Sequence, residues 1–390
     1  MNGASHRRDY GECRRIEEGE IRSMPSIIDY LQWRGDLTLS QSPFCEVDNL
    51  ILSYLSYVNL DGIAPAPQMG AMTVKEASDL FFDLYSPECL KADRSFIRLA
   101  PYVMEAMAGS PRFCNAKIQN YVNELAFDEQ FQFAALEVVL DDGTSYIAYR
   151  GTDDTIVGWK EDFQLSAGVV PAQRKAADYL NEVAGNSMRK LWVGGHSKGG
   201  NLAVYAAAMC EPNVQERIEV VYCNDGPGFL GTFLTTSGFQ RILPKIQRFV
   251  PEASVIGMIL EHGDEPTVIS SSQKGILQHD GLSWEVLGAR FLKKEKIDRR
   301  TEIFNDTLHN WLENLEPDMR AEVVGDFFSV LEATGAQTLT GLQEGGLRYV
   351  SVMMKKAESL RPETKTAVDD LLKSLFGHLK ELVLDSEKEG

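Results

Sequence analysis

The sequence predicts an α/β fold, a mainly parallel sheet covered by helices, and three observations predict it. Beyond about residue 134, short β-rich apolar runs alternate with amphipathic helical stretches. Those stretches are long enough to serve as crossovers between parallel strands. A glycine-rich turn, Gly194-Gly195-His196-Ser197-Lys198-Gly199-Gly200, joins a short apolar strand to an alanine-rich helix.

Taken in chain order, residues 1–22 are polar and charged, lack an apolar core and read as a flexible tail without a secretory leader. From Ser26 to about Tyr121 the pattern is mostly helical, with apolar residues three and four apart in Val47–Val58 and Val74–Leu84. The break between these two helices, Asp61-Gly62-Ile63-Ala64-Pro65-Ala66-Pro67, is a loop by its Gly and Pro content. Ala134–Leu140, Asp141-Asp142-Gly143 and Thr144–Tyr149 form a hairpin signal. A helix over Ala172–Ala184, a strand at Leu191–Val193, a helix over Gly199–Cys210 and a strand at Ile218–Cys223 follow. Further strands are expected at Val255–Leu260 and Thr267–Ile276. After Ile303 only amphipathic helices remain, at Met319–Leu331, Leu347–Ala357 and Thr364–Leu384. The expected division is a core domain over 23–300 with an N-terminal helical cover, then a helical C-terminal extension over 301–390.

An apolar fraction of 44% with 18 Phe, 13 Tyr and 5 Trp places the chain outside the disordered class and predicts a substantial core. A formal charge of −18 and a pI near 4.9 oppose attraction to nucleic acid and to anionic membranes. Six scattered cysteines show neither a zinc spacing nor a disulfide framework, and reduced thiols in a cytoplasmic protein are the simpler account. No stretch reaches the roughly 20 apolar residues of a membrane span. No metal or organic cofactor is implied, because neither a ligand cluster nor a dinucleotide fingerprint is present. Oligomeric state is not legible in the sequence.

Gly195-x-Ser197-x-Gly199 between strand and helix is the context of a nucleophile elbow, in which flanking glycines permit the tight turn that lifts a serine hydroxyl above a sheet. The helix N-terminus behind it supplies backbone N–H groups for a developing oxyanion. Upstream, strand Tyr146–Tyr149 ends in Arg150-Gly151-Thr152-Asp153-Asp154, with Trp159 and Asp162 shortly after. Together these motifs resemble the fungal-type (class 3) lipases, an α/β-hydrolase family, over about residues 130–285. The whole chain also resembles a bacterial branch of lipase-like proteins, through Trp33-Arg34-Gly35-Asp36-Leu37, Asn224-Asp225-Gly226-Pro227-Gly228-Phe229 and Gln278-His279-Asp280 with Trp284. The resemblance implies an oxyanion hole formed by Thr152 and the Lys198 backbone N–H. Lys198 stands where that family usually has leucine.

A serine hydroxyl needs a histidine to take its proton and a carboxylate to fix that histidine. Of six histidines, His279 follows the last apolar strand and fits the chain order Ser, acid, His. His309 is the alternative by resemblance to lipases whose base lies near the C-terminal end, and His262 is third. His196 precedes the nucleophile and is expected to point away from it, in a packing or supporting role. For the acid, Asp225 follows the strand after the nucleophile helix, while Glu252 lies nearer the fungal-type aspartate, at whose position Ser254 stands. Asp225 is favoured.

The expectation is a serine hydrolase cleaving a carboxylic ester or thioester through an acyl-enzyme on Ser197, with a small acyl ester or lipid-like molecule as substrate. The rivals are a non-catalytic α/β-hydrolase scaffold that binds a ligand or partner, and a serine acyltransferase.

Overall fold

The computed structural model describes residues 25–86, 90, 96–126, 131–152, 168–185, 187–299, 301–302, 317–336, 341–342, 345–366, 368–369 and 372. The N-terminal part holds α1 (Ile27–Arg34), α2 (Glu46–Leu55), β1 (Ala71–Thr73), α3 (Val74–Leu84) and α4 (Ala100–Ala108). The sheet region follows with β2 (Lys117–Ala126), β3 (Phe131–Val139), β4 (Ser145–Tyr149), α5 (Pro171–Gly185), β5 (Leu191–His196), α6 (Lys198–Met209), α7 (Pro212–Gln215) and β6 (Ile218–Asn224). Then come α8 (Gly231–Leu234), α9 (Ser237–Ile242), β7 (Ile246–Pro251), β8 (Thr267–Ile269) and a small hairpin, β9 (Val286–Leu287) with β10 (Arg290–Phe291). The C-terminal part contributes α10 (Pro317–Glu332) and α11 (Gly346–Ala357).

The first eight strands form one sheet whose spatial order is the chain order, β1 to β8. Strands β1 to β4 pair antiparallel, and β4 to β8 pair parallel. Side chains alternate across this sheet with period two. Leu136, Val138, Tyr146 and Ala148 face a core shared with α1 to α4. Ala135, Ile147, Tyr149, Val193 and Val221 face a second core under α5, α6 and α9. With both faces covered, the fold is a three-layered α/β-hydrolase fold, and the near-continuous apolar character of β4 and β5 follows from double burial.

A buried ion pair anchors the N-terminal helices. The Arg112 guanidinium bonds both carboxylate oxygens of Asp48, at 2.7 and 2.5 Å, and donates to the carbonyls of Leu37, Ser42 and Pro43. Tyr30 Oη adds a donor to Asp48 at 3.1 Å. The pair is fully enclosed, and each polar atom's partner offsets the cost of burying charge. The Trp33–Leu37 motif serves this same joint. The Gly35 carbonyl accepts from the Arg112 N–H, and a Cβ on Gly35 would sit 2.8 Å from Ser110 Cβ.

The helices at Val47–Val58 and Val74–Leu84, the Asp-Gly hairpin and the strand-helix alternation from 171 to 224 lie where the periodicity predicts them, within a few residues. Four differences have physical causes. The mostly helical reading up to Tyr121 misses β1 and β2, because β2 sits near the sheet edge and carries polar residues such as Gln119, Asn120 and Asn123. The strand expected at Val255–Leu260 is instead a short 3₁₀ turn over Ile256–Met258, and its apolar residues pack on the C-terminal helices. The true neighbour of β6 is β7, disguised by Gln247 and by Arg248, whose buried guanidinium bonds the Gly257 and Asp264 carbonyls. The strand expected over Thr267–Ile276 is only three residues long.

The C-terminal helices place Val323, Val324, Phe327, Phe328, Leu331 and Met353 against Ile256 and Ile259 of the core. The expected tail at 1–22 and most of the expected helix over Thr364–Leu384 lie outside the described residues. Among the described residues no helix is long and apolar enough to cross a membrane.

Candidate active site

The register of the parallel strands assembles the site. His196 pairs with Asn224, and Asn224 with Phe249, so the carboxyl ends of β5 and β6 finish level beside Phe249 of β7. Ser197 and Asp225 are the next residues after β5 and β6, and both adopt left-handed backbone, with φ of 58° and 52°. Such conformations cost a non-glycine residue on the order of 1–3 kcal/mol and persist only where surroundings enforce them. Here the Ser197 N–H bonds the Asn224 carbonyl at 2.9 Å, and the Asp225 N–H bonds that of Phe249 at 2.8 Å.

Sterics explain the flanking glycines. A Cβ on Gly195 would lie 2.3 Å from the Gly199 carbonyl carbon, and one on Gly199 would lie 2.2 Å from the Tyr149 carbonyl oxygen. Strand β5, helix α6 and the end of β4 therefore touch through backbone alone. Gly151, after β4, meets the same turn, since its Cβ would sit 3.2 Å from Ser197 Cβ. The next residue, Thr152, is buried. Lys198, also buried, opens α6, so its N–H is one of the helix's first-turn donors.

Three side chains form one hydrogen-bonded line. His279 Nε2 lies 2.9 Å from Ser197 Oγ, and His279 Nδ1 lies 2.6 Å from Asp225 Oδ2. An ionised carboxylate only accepts, so it holds the proton on Nδ1 and leaves the Nε2 lone pair facing the serine. The other carboxylate oxygen, Asp225 Oδ1, accepts from Ser254 Oγ at 2.5 Å, and Ser254 Oγ accepts the Gly257 N–H at 3.1 Å. Ser197, His279, Asp225 and Ser254 are all buried.

The loops behind the line are fixed by buried polar groups. Asn201 of α6 donates to the Pro227 and Gly228 carbonyls at 3.0 Å each and pins the turn after Asp225. Trp284 Nε1 donates to the Gln278 carbonyl at 2.9 Å, and Gln278 Oε1 accepts the Ala253 N–H at 2.8 Å. The Asn224–Phe229 and Gln278–Trp284 motifs are thus the two loops that carry the acid and the imidazole. Asn224 and Asn49 exchange side-chain hydrogen bonds at 2.8 and 3.1 Å, joining α2 to the end of β6.

Glu252, the other acid considered, is not brought to His279. Its carboxylate faces Lys294 at 3.5 Å near the surface. His262 lies elsewhere too, its basicity depressed well below the usual histidine value by burial and by the nearby Arg248 charge. His309, Trp159 and Asp162 lie outside the described residues. His196 points away from Ser197 Oγ, as its place in the strand predicts. Its Nδ1 meets Tyr57 Oη at 2.9 Å and its Nε2 the His279 carbonyl at 2.7 Å. Burial, with His279 alongside, pushes its pKa well below the normal range, so it stays neutral. Sequence reasoning gave no role to Tyr54, Tyr57 or Asn49. A polar partner far along the chain leaves no local periodic signal, and tyrosines three apart on a helix read as core.

The Mbeg1-like family model matches residues 107–329, a span holding both Ser197 and His279. A search of curated proteins returned no significant match. Among solved structures, three chains match. One of them, described as "Crystal structure of M37 lipase", is 16% identical, covers 54% of this chain and 68% of its own, and superposes with a TM-score of 0.34. With more than half its length matched by the family model, the chain belongs to the Mbeg1-like family, a lipase-like family.

Proposed function

We propose that the protein is a serine hydrolase cleaving a carboxylic ester or thioester through an acyl-enzyme on Ser197. The observation that carries this reading is the line from Ser197 Oγ to His279 Nε2 at 2.9 Å and from His279 Nδ1 to Asp225 Oδ2 at 2.6 Å. In the first step His279 Nε2 takes the hydroxyl proton as Ser197 Oγ attacks the carbonyl carbon. Asp225 stabilises the imidazolium that forms, and Thr152 with the Lys198 N–H holds the oxyanion. The imidazolium then protonates the leaving alcohol or thiol. Water, deprotonated by the same nitrogen, releases the acid and restores the serine. An apolar acyl donor suits the lipase-like family, and six cysteines without a disulfide spacing suit a cytoplasmic place.

The test is hydrolysis of a p-nitrophenyl ester series by wild type, Ser197→Ala, His279→Ala, Asp225→Asn and Glu252→Gln, with fluorophosphonate labelling in parallel. Turnover and labelling vanish in Ser197→Ala, and Asp225→Asn loses about 10⁴-fold in kcat. Glu252→Gln stays within about twofold of wild type, as expected of a solvent-exposed pair. A wild type that neither turns over any ester nor reacts with fluorophosphonate sinks the enzyme and leaves a binding scaffold. Added alcohols that outcompete water for the acyl group would redefine it as an acyltransferase.

A further inference from the structure

The N-terminal helical cover reaches the site through two tyrosines on one face, and their contacts go to the segment that carries His279. Tyr54 lies in the last turn of α2, and Tyr57 in the turn closing it, with its N–H on the Tyr54 carbonyl at 3.0 Å. Tyr57 Oη stands 2.9 Å from His196 Nδ1 and 3.2 Å from the His196 carbonyl. His196 Nε2, on the far side of the ring, stands 2.7 Å from the backbone carbonyl of His279. Tyr54 Oη donates at 2.9 Å to Asp280 Oδ1, which also accepts the Leu282 N–H at 3.0 Å. The face of the Tyr54 ring packs so close to Gly281 that a Cβ there would be 2.8 Å from it.

Resting on the serine-hydrolase reading above, we infer that Tyr57, His196 and Tyr54 are positioning residues for the general base. Through them α2 sets the backbone of residues 279 and 280 and so aims the His279 ring. The proton assignment follows from the acceptors. A carbonyl can only accept, so the His196 proton must be on Nε2. A neutral ring then offers a lone pair at Nδ1, and the Tyr57 hydroxyl donates to it, sharing its proton with the His196 carbonyl at 3.2 Å. The phenol thereby selects the tautomer that grips His279. Burial and the adjacent His279 ring, 4.8 Å away between centroids, keep His196 uncharged. Without the Tyr57 hydroxyl, the 2.9 Å contact that favours an unprotonated Nδ1 is lost, and a proton shifted to Nδ1 leaves the His279 carbonyl facing a lone pair. His279 makes bonds of 2.6 and 2.9 Å at its two nitrogens, and small displacements of its backbone lengthen both.

The experiment uses the full-length protein and pairs kinetics with histidine-selective ¹⁵N–¹H correlation spectra, which report the tautomer of each ring. Tyr57→Phe keeps the ring and removes the hydroxyl. It is expected to lower kcat by about ten- to a hundredfold with KM within about twofold, the signature of misplacement in the transition state alone. Tyr54→Phe is expected to lower kcat in the same manner. His196→Gln, whose side-chain amide still donates to the His279 carbonyl, retains more activity than His196→Leu, which fills the space without a donor. In the spectra the wild-type His196 is a neutral Nε2–H imidazole at pH 7, and in Tyr57→Phe that tautomer is lost or mixed. Unchanged kcat in Tyr57→Phe, or equal activity of the Gln and Leu variants, overturns the inference. If wild type shows no Ser197-dependent turnover, the hydrolase reading fails separately and the spectra alone decide. A wild-type His196 protonated on Nδ1, or titrating near pH 6.5, then overturns the grip on His279.

Discussion

At the scale of single residues, Asp225, the acid of the proposed triad, depends on a second oxygen contact. Ser254 Oγ holds Asp225 Oδ1 while Oδ2 faces His279, so Ser254→Ala leaves a buried carboxylate oxygen with one donor fewer. Hydrogen bonds to charged groups contribute about 1.5–3 kcal/mol, and kcat/KM of Ser254→Ala is expected to fall roughly tenfold or more. Ester hydrolysis measured beside Ser254→Thr, which restores the donor, checks this. A separate prediction concerns Asp280, whose carboxyl is pushed up to about 6 by desolvation, against the lowering effect of its Leu282 N–H and Tyr54 bonds. Well below the ordinary carboxyl value of 3.8, folded and unfolded chains both hold its proton. As pH rises toward 6 the unfolded chain releases the proton first, so stability from this group is lost across that window. The melting temperature of Asp280→Asn is therefore expected to gain on wild type between pH 4 and 7, by thermal unfolding in a pH series. Ser197 and His279 were legible in the sequence because each follows a recognisable local pattern. Asp225 is favoured there from its place after β6, with Glu252 left open as the alternative because Arg248 hid the strand that Glu252 follows.

At the scale of elements, the turn at Ser197 is a place where three backbones meet without side chains between them. Gly199→Ala puts a methyl group within 2.2 Å of the Tyr149 carbonyl oxygen, an approach that β4 and α6 can relieve only by separating. The expected outcome is insoluble protein or a fold destabilised by several kcal/mol with no fluorophosphonate labelling, read by urea unfolding and gel fluorescence. Helices α5 and α6 and strands β5 and β6 were legible because both periodicities are clean there. Strand β2 and the 3₁₀ turn at Ile256–Met258 were not. In each, composition follows what the segment packs against rather than its own backbone. The same argument explains the Asp48–Arg112 joint, formed by residues 64 apart in the chain and invisible to any local reading.

At the scale of the whole molecule, the C-terminal helices rest on Ile256 and Ile259, which flank the Gly257 that packs against Asp225. Phe328, fully buried in that cluster, is the strongest probe of the joint. Phe328→Ala is expected to cost about 3–5 kcal/mol of stability in chemical unfolding. Because the 3₁₀ turn carries the load, ester hydrolysis is expected to fall below the denaturation midpoint, before the far-ultraviolet signal changes. A midpoint equal to wild type would show that the helices do not brace the core. The strand order has its own consequence for how the protein is made. Each strand from β1 to β8 pairs beside the one synthesised just before it, so a chain emerging from the ribosome can extend its sheet one edge at a time. Helix α2, the nucleophile turn and the acid have all been synthesised by Asp225, yet the imidazole arrives 54 residues later. On the proposed mechanism, the nascent enzyme carries an assembled but silent nucleophile for that entire stretch, and acquires its chemistry only as the last strand and its loop lock down.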